Sequence, residues 1–417
     1  MHEYIVALDI GSSNVYGAVG KIENQGNLHI VGTNAVDCLG VKKGIVVDIE
    51  TTAKSIRECI DNLERIVDIK IPAVFLSLPG VICELISNRA VIAISSEDRE
   101  IREKDVFRVL DAAKIISLQQ DKEIVGVIPQ QYIVDGYENI SEPVGMSGLR
   151  LELDAQVIVA KSMVLNNLRK SLERANISII AEVFSSQAVS NIALDNIDKN
   201  LSTLVIDVGG ETTDLSLYRK RNLIFTSVIP LGGNNITKDI SICLKIPHST
   251  SEQVKIKYGQ LKLSPEKDGN TITINDGYNN RSDIKKEILN SIIESRVEEI
   301  LYLTKDKMVK NNFYEEISNI IIIGGGVSLF RDIAQYASNI LGKSVEVGYP
   351  SDFGATNPKY SCVVGTIKDI YETLKMTKQS NSKENSKNDS TKKINSTVEE
   401  KSENILDRLK DFISDFF

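Results

Sequence analysis

The chain has 417 residues, 42% of them apolar and 25% charged, enough length for two or three domains with a sizeable core. A net charge of −8 argues against a general nucleic-acid binder. The cysteines (Cys38, Cys59, Cys83, Cys243, Cys362) are odd in number, widely spread and never spaced C-x-x-C, and the histidines are only His2, His29 and His248. That leaves no zinc pattern and no Ser-His-Asp hydrolase, and it fits reduced, buried thiols. No basic segment leads into an apolar leader, and no run of about 18 apolar residues occurs, so the chain reads as cytoplasmic and non-spanning.

In chain order, "YIVALDIGSSNVYGAVG" (Tyr4 to Gly20) comes first: an apolar strand, Asp9, a turn of Gly11, Ser12, Ser13 and Asn14, then a returning strand. Glycines let backbone N–H groups converge on an anion, hydroxyls add donors, and an aspartate at such an edge can hold a hydrated divalent cation. Alone, this is also how an ordinary hairpin turn is spelled. A strand is predicted from Leu28 to Ala35, a turn at Gly40–Gly44, and a helix capped by Thr51 or Thr52 with Ile56, Ile60, Leu63 and Val67 inward. Another strand runs through "IKIPAVFLSLPG" (Ile69 to Gly80).

Val81 to Ile94 reads as strand, Glu103 to Ile116 as helix, and Glu123 to Ala160 as strands and turns. A helix follows from Ser162, its expected cap, with Leu165, Leu168 and Leu172 inward; then a strand at Ile177–Phe184 and a helix from Ser185 carrying Gln187.

"LVIDVGGETTDLSLY" (Leu204 to Tyr218) repeats the first motif: apolar strand, Asp207, Gly209-Gly210, then Thr212, Thr213 and a second acid, Asp214. Two such hairpins suggest a duplicated core with two phosphate loops facing one another. "IPLGGNNITKDI" places Gly232-Gly233 before a helix, "SEQVKIKYG" sets Glu252 and Lys255 at i, i+3, and Ser282–Lys310 reads as a long helix. "IIIIGGGVSLFRDI" ends a buried strand in Gly324, Gly325, Gly326 and Val327, a plausible seat for a nucleotide's base, sugar or phosphates.

Together the three glycine motifs resemble the actin superfamily, and "VIPQQYIVDG" with "EPVGMSGLRLE" resembles the inserted subdomain of FtsA, its bacterial cell-division branch. The resemblance implies an α/β, actin-like (ribonuclease H-like, duplicated) ATPase fold. Its subdomains would be 1A (1–82 and 162–195), inserted 1C (83–161), 2A (196–235 and 311–374) and 2B (236–310). It implies ATP bound with Mg2+, Asp9 and Asp207 holding the hydrated metal. Gly11, Ser12, Ser13, Asn14, Gly209, Gly210, Thr212, Thr213, Gly232, Gly233, Glu252, Lys255 and Gly324 to Val327 would surround the nucleotide. Gln187 stands near the point where the superfamily orients the attacking water. Glu211 departs from the usual wording, where a third glycine is common, and so bears on hydrolysis more than on binding. Arg296 and Glu299 in 2B are the candidate contacts for the C-terminal peptide of FtsZ. Subdomain 1C serves self-association and other division proteins. The same scaffold also serves sugar and acetate kinases and type IV pilus assembly ATPases.

The tail changes character. Residues 375–402 are polar and read as a flexible linker. In "ENILDRLKDFISDFF" one helical face carries Ile405, Leu406, Leu409, Phe412, Ile413, Phe416 and Phe417. A helix this short needs a surface to fold on, and FtsA ends in a membrane-targeting helix. Its polar face holds more Asp than basic residues, so lipid attachment rests on apolar burial; a partner-protein groove is the alternative. Liposome co-sedimentation tests this: the full chain is expected to pellet and a chain ending at Lys375 to stay in solution, whereas equal pelleting contradicts the membrane reading.

Overall fold

The computed structural model describes residues 3–23, 26–195, 197–198, 200–261, 271–275, 281–352 and 354–388. The chain opens with β1 (Glu3–Ile10), β2 (Asn14–Ile22), β3 (Leu28–Asp37) and the two-residue strands β4 (Val41–Lys42) and β5 (Ile45–Val46). Then come α1 (Ile49–Val67) and β6 (Ala73–Leu78). The insert comprises β7 (Cys83–Ala93), α2 (Glu103–Ala113), β8 (Lys122–Val134), β9 (Tyr137–Ile140) and β10 (Arg150–Lys161). The first half closes with α3 (Ser162–Arg174), β11 (Ser178–Phe184) and the short helices α4 (Ser185–Ala188) and α5 (Ser190–Ala193). The second half holds β12 (Ser202–Val208), β13 (Thr213–Arg219), β14 (Asn222–Ile229), α6 (Gly233–Leu244) and α7 (His248–Tyr258). It continues with β15 (Thr271–Asn275), β16 (Arg281–Lys285), α8 (Lys286–Lys310), β17 (Asn319–Ile323), α9 (Ile333–Leu341), β18 (Ser344–Val347) and α10 (Ser361–Asn388).

The duplication is explicit in the sheets. The first runs β11-β6-β1-β2-β3 and the second β14-β13-β12-β17-β18. In each, a hairpin pairs antiparallel (β1 with β2, β12 with β13), a third strand extends it antiparallel, and two parallel strands continue on the other side. Asp9 faces Tyr16 across the first hairpin, and Asp207 faces Asp214 across the second. Helix α1 buries Ile56, Ile60 and Leu63, and α3 buries Leu165, Leu168 and Leu172, the faces the periodicity predicts. One core cluster joins β1, β6 and α1 to Val205, Tyr218, Ile321 and Ile323, so the halves share apolar packing.

Two cap assignments change. Asp48, rather than Thr51 or Thr52, caps α1: its carboxylate accepts the Thr51 amide at 3.0 Å. Ser162 is the first helical residue of α3, and because β10 runs straight into that helix its amide donates to the Asp121 carbonyl at 2.9 Å.

The insert is its own sheet, β7-β10-β8-β9, with α2 packed over it. Pro129 has no N–H for the ladder, and the register slips there: Asp154 faces Gln131 and Ala155 faces Pro129, leaving Gln130 as a bulge. The freed Gln130 carbonyl accepts the Asn222 side chain at 2.8 Å, tying insert to second half. Arg169 on α3 ties insert to first half, gripping Glu182 at 2.7 Å and Glu123 at 3.1 Å.

Helix α10 runs to Asn388, into the stretch expected to be a flexible linker. No glycine or proline lies between Thr366 and Asn388 to end it. The terminal segment from Ile405 to Phe417 lies outside the described residues.

Candidate functional site

The two hairpin tips are built alike. The Gly11 amide donates to the Asn14 carbonyl at 3.0 Å, and the Gly209 amide donates to the Thr212 carbonyl at 2.9 Å. Among the described residues, the amides between them (Ser12 and Ser13 in one tip, Gly210 and Glu211 in the other) donate to nothing. Each tip thus presents two neighbouring free N–H groups, the donor pattern that receives an anion.

The tips meet. A Cβ on Gly210 would lie 1.9 Å from Ser13 Oγ, so any side chain there would have to displace the Ser13 hydroxyl. Ser13 Oγ donates to Asn234 Oδ1 at 3.1 Å, joining the first hairpin to the second half. Glu211, at the equivalent place in the second hairpin, accepts the Lys43 amide from the first half at 2.7 Å. Its carboxylate is therefore spent on the β4–β5 turn. Ser12 Oγ accepts the Gly44 amide of that turn at 2.8 Å.

The other glycine motifs pack onto this junction. Gly233 donates to the Gly209 carbonyl at 2.9 Å and Gly326 to the Val208 carbonyl at 2.8 Å. A Cβ on Gly232 would lie 2.6 Å from the Gly209 carbonyl. Gly324, at φ 86°, lies under Asp207, where a Cβ would meet Oδ1 at 2.3 Å. Gly325 borders Lys359, with the Tyr16 hydroxyl close by, and Val327 is buried. Lys255 is buried too: its ammonium donates to the Gly233 carbonyl at 3.2 Å and Thr237 at 2.9 Å, with Glu252 at 2.7 Å. Burial lowers its pKa, against the pull of Glu252. The i, i+3 pair is thus a brace beneath the Gly232-Gly233 turn.

Other predicted residues face elsewhere. Asn14 donates to Asp37 at 3.0 Å and accepts the Tyr16 hydroxyl at 3.3 Å. The buried Thr213 hydroxyl donates to the Leu231 carbonyl at 2.8 Å. Thr212 hydrogen-bonds Asp214. Gln187 lies beside Asp369 on α10, which accepts the Asn191 side-chain amide at 3.1 Å and whose pKa burial raises to about 6. Arg296 is clasped by Asp239 of α6 at 2.7 and 3.1 Å and by Glu299.

The acids decide the chemistry. Burial, with the nearby Asp207, lifts Asp9 to about 7; burial lifts Asp207 to about 6; burial, then Asp207 and Asp9, lifts Asp214 to about 8. Asp214, to which the sequence assigned no role, completes a three-carboxylate group, and its Oδ1 has no hydrogen-bond partner. A signal was available, since Asp214 follows Asp207 by the same seven residues that separate Tyr16 from Asp9. Among the described residues no ready-made cage of metal ligands exists. Crowded acids with an orphaned oxygen beside free amides fit a hydrated divalent cation accompanying an anion, held through its waters.

The FtsA family model, "Cell division protein FtsA", matches residues 204–365, and the model "SHS2 domain inserted in FTSA" matches residues 80–159, the insert. The FtsA of Bacillus subtilis is 34% identical over 88% of this chain and 83% of its own length. That of Borreliella burgdorferi is 33% identical over 99% of both. The chain belongs to the FtsA family of cell division proteins. Among solved structures, a PilM-PilN type IV pilus biogenesis complex matches with a TM-score of 0.61 at 15% identity, covering 87% of this chain and 98% of that one. MreB5 of Spiroplasma citri bound to ADP matches with a TM-score of 0.53 at 15% identity, covering 90% and 98%. These likenesses establish the actin-like fold. The sequence relatives place the chain with FtsA rather than with kinases or pilus proteins.

The raised carboxylates set a pH dependence. Unfolded, they ionise near 3.8; folded, between about 6 and 8, so the native chain holds extra protons across that interval and their contribution to stability falls as pH rises. Urea midpoints between pH 5 and 8.5 are expected to fall in the parent chain relative to Asp214→Asn, and Mg2+ is expected to narrow the gap. Parallel curves contradict the shared burial of these acids.

Proposed function

We propose that this chain is an ATP-binding, actin-like adaptor of cell division that assembles at the cytoplasmic membrane face, at the septum, and tethers FtsZ filaments there. The observation that carries the reading is the pair of matched tips, each with two free amides, closing over Asp9 and Asp207. In this reading Ser12, Ser13, Gly210 and Glu211 offer their amides to phosphates. Gly232-Gly233, braced by Lys255 and Glu252, and Gly324 to Val327 form the wall for the remainder of the nucleotide.

Asp9 and Asp207 would hold hydrated Mg2+, with Asp214 in reach of its waters; bound there, the ion supplies positive charge against the phosphates. Hydrolysis, if present, would be slow and would regulate assembly more than drive metabolism. Gln187 and Glu211 stay the candidates for it, each having first to leave a neighbour: Asp369 for Gln187, the Lys43 amide for Glu211. Self-association and division-protein contacts use the insert. The FtsZ peptide docks on the 2B helices near Glu299, and Arg296 can join only by exchanging Asp239 for the peptide's carboxylates. The C-terminal face from Ile405 to Phe417 supplies lipid attachment.

Titration with a fluorescent ATP analogue and Mg2+ tests the core of this. Asp9→Ala and Asp207→Ala are each expected to weaken binding at least tenfold, about 1.4 kcal/mol, and Gly210→Val to abolish it. Unchanged affinity in all three contradicts the reading.

A further inference from the structure

We propose that the root of the insert, Pro79 to Val81, is clamped by the two phosphate hairpins, so that filling the seam moves the insert relative to the second half. This rests on the nucleotide reading above. Three contacts make the clamp. Gly80 presses on Asp214: a Cβ there would lie 2.2 Å from the unpartnered Oδ1, with Val228 at 3.6 Å. Gly44, at φ 74°, presses on the neighbouring residue, where a Cβ would lie 2.5 Å from Val81 and 3.9 Å from Pro79. The Lys43-Gly44 turn is held in place by the hairpins themselves, its amides donating to Glu211 at 2.7 Å and to Ser12 at 2.8 Å. One side of the root thus meets a carboxylate of the second hairpin, and the other meets a turn whose amides are held by side chains of both phosphate loops.

Those side chains are the ones an incoming polyphosphate with its cation must disturb. An orphaned carboxylate oxygen gains a partner by turning towards the cation's waters, which takes it off Gly80. The Glu211 carboxylate is repelled by phosphate charge and loosens its hold on Lys43. The Ser12 hydroxyl is drawn to donate to phosphate. All three changes converge on one segment leading directly into β7.

The insert meets the second half along an open cleft of about 400 Å³. It begins at Gly80 and Val81 of the root and runs between the edge strands β7, with Cys83, Leu85 and Ser87, and β14, with Phe225 and Thr226. The Asn222–Gln130 hydrogen bond lies to one side of it. A seam packed this loosely can take two positions at small cost, which a filled core cannot.

Double electron–electron resonance between labels at Ser87→Cys and Thr226→Cys measures the gap, in the full chain with Cys83 and Cys243 replaced by Ser and with Mg·ATP occupancy measured by titration in the same samples. At saturating Mg·ATP the distance is expected to shift by more than about 2 Å. Gly80→Ala is expected to displace it without nucleotide and to remove the response. Val81→Ala, which leaves the Asp214 contact in place, is expected to shrink the response. Bound Mg·ATP with an unmoved distance in the parent, or a Gly80→Ala response equal to the parent's, overturns the clamp while leaving the nucleotide reading standing. Failure of the parent to bind Mg·ATP overturns both.

Discussion

The molecule is organised by an exchange of hydrogen bonds across its seam. Each hairpin sends the residue four places beyond its aspartate into the opposite half: Ser13 reaches Asn234, and Glu211 receives the Lys43 amide. Both contacts use side chains at tips whose own middle amides are left free, so the halves are joined without consuming the donors an anion needs. Typical hydrogen bonds contribute about 0.5–1.5 kcal/mol net, enough to set the register of the two halves and weak enough to yield to a bound ligand.

That closeness has an electrostatic cost. Asp9, Asp207 and Asp214 are brought together at the seam, where burial and mutual repulsion disfavour their ionised forms. A fold kept for stability alone would not gather three acids there, and the glycines around them, whose missing side chains let backbone and carboxylate approach, point the same way. In the proposed reading the charge that balances them comes with the ligand. Lys255, a cation within the second half, is instead tied to Glu252 and the Gly233 carbonyl, bracing the turn from below.

Much of this was legible in the sequence because it is local. The repeated Asp-x-Gly hairpins, the i, i+3, i+4 faces of α1 and α3, and the insert between two sheet strands follow from spacing within a short window. What was not legible depends on residues far apart in the chain. Glu211 was read by its neighbours as a group facing phosphate or metal, yet its carboxylate meets a turn 168 residues earlier. Likewise only the fold shows that Arg296, a candidate partner contact, is paired with Asp239 on α6. Asp214 lay in plain view as a second acid, but only the β12–β13 register shows that it shares a site with Asp207. The Asp48 cap is not legible because Asp48, Thr51 and Thr52 all offer a capping oxygen, and one carboxylate–amide distance decides between them.

The central claim is that a nucleotide's phosphates and their cation lie between the two tips. Crystals of the chain with a non-hydrolysable ATP analogue and Mn2+, measured at the manganese absorption edge, test it most directly. The account predicts an anomalous peak between Asp9 and Asp207, with phosphate oxygens at the amides of Ser12, Ser13, Gly210 and Glu211. A nucleotide bound elsewhere on the molecule, or manganese distant from both aspartates, would contradict it.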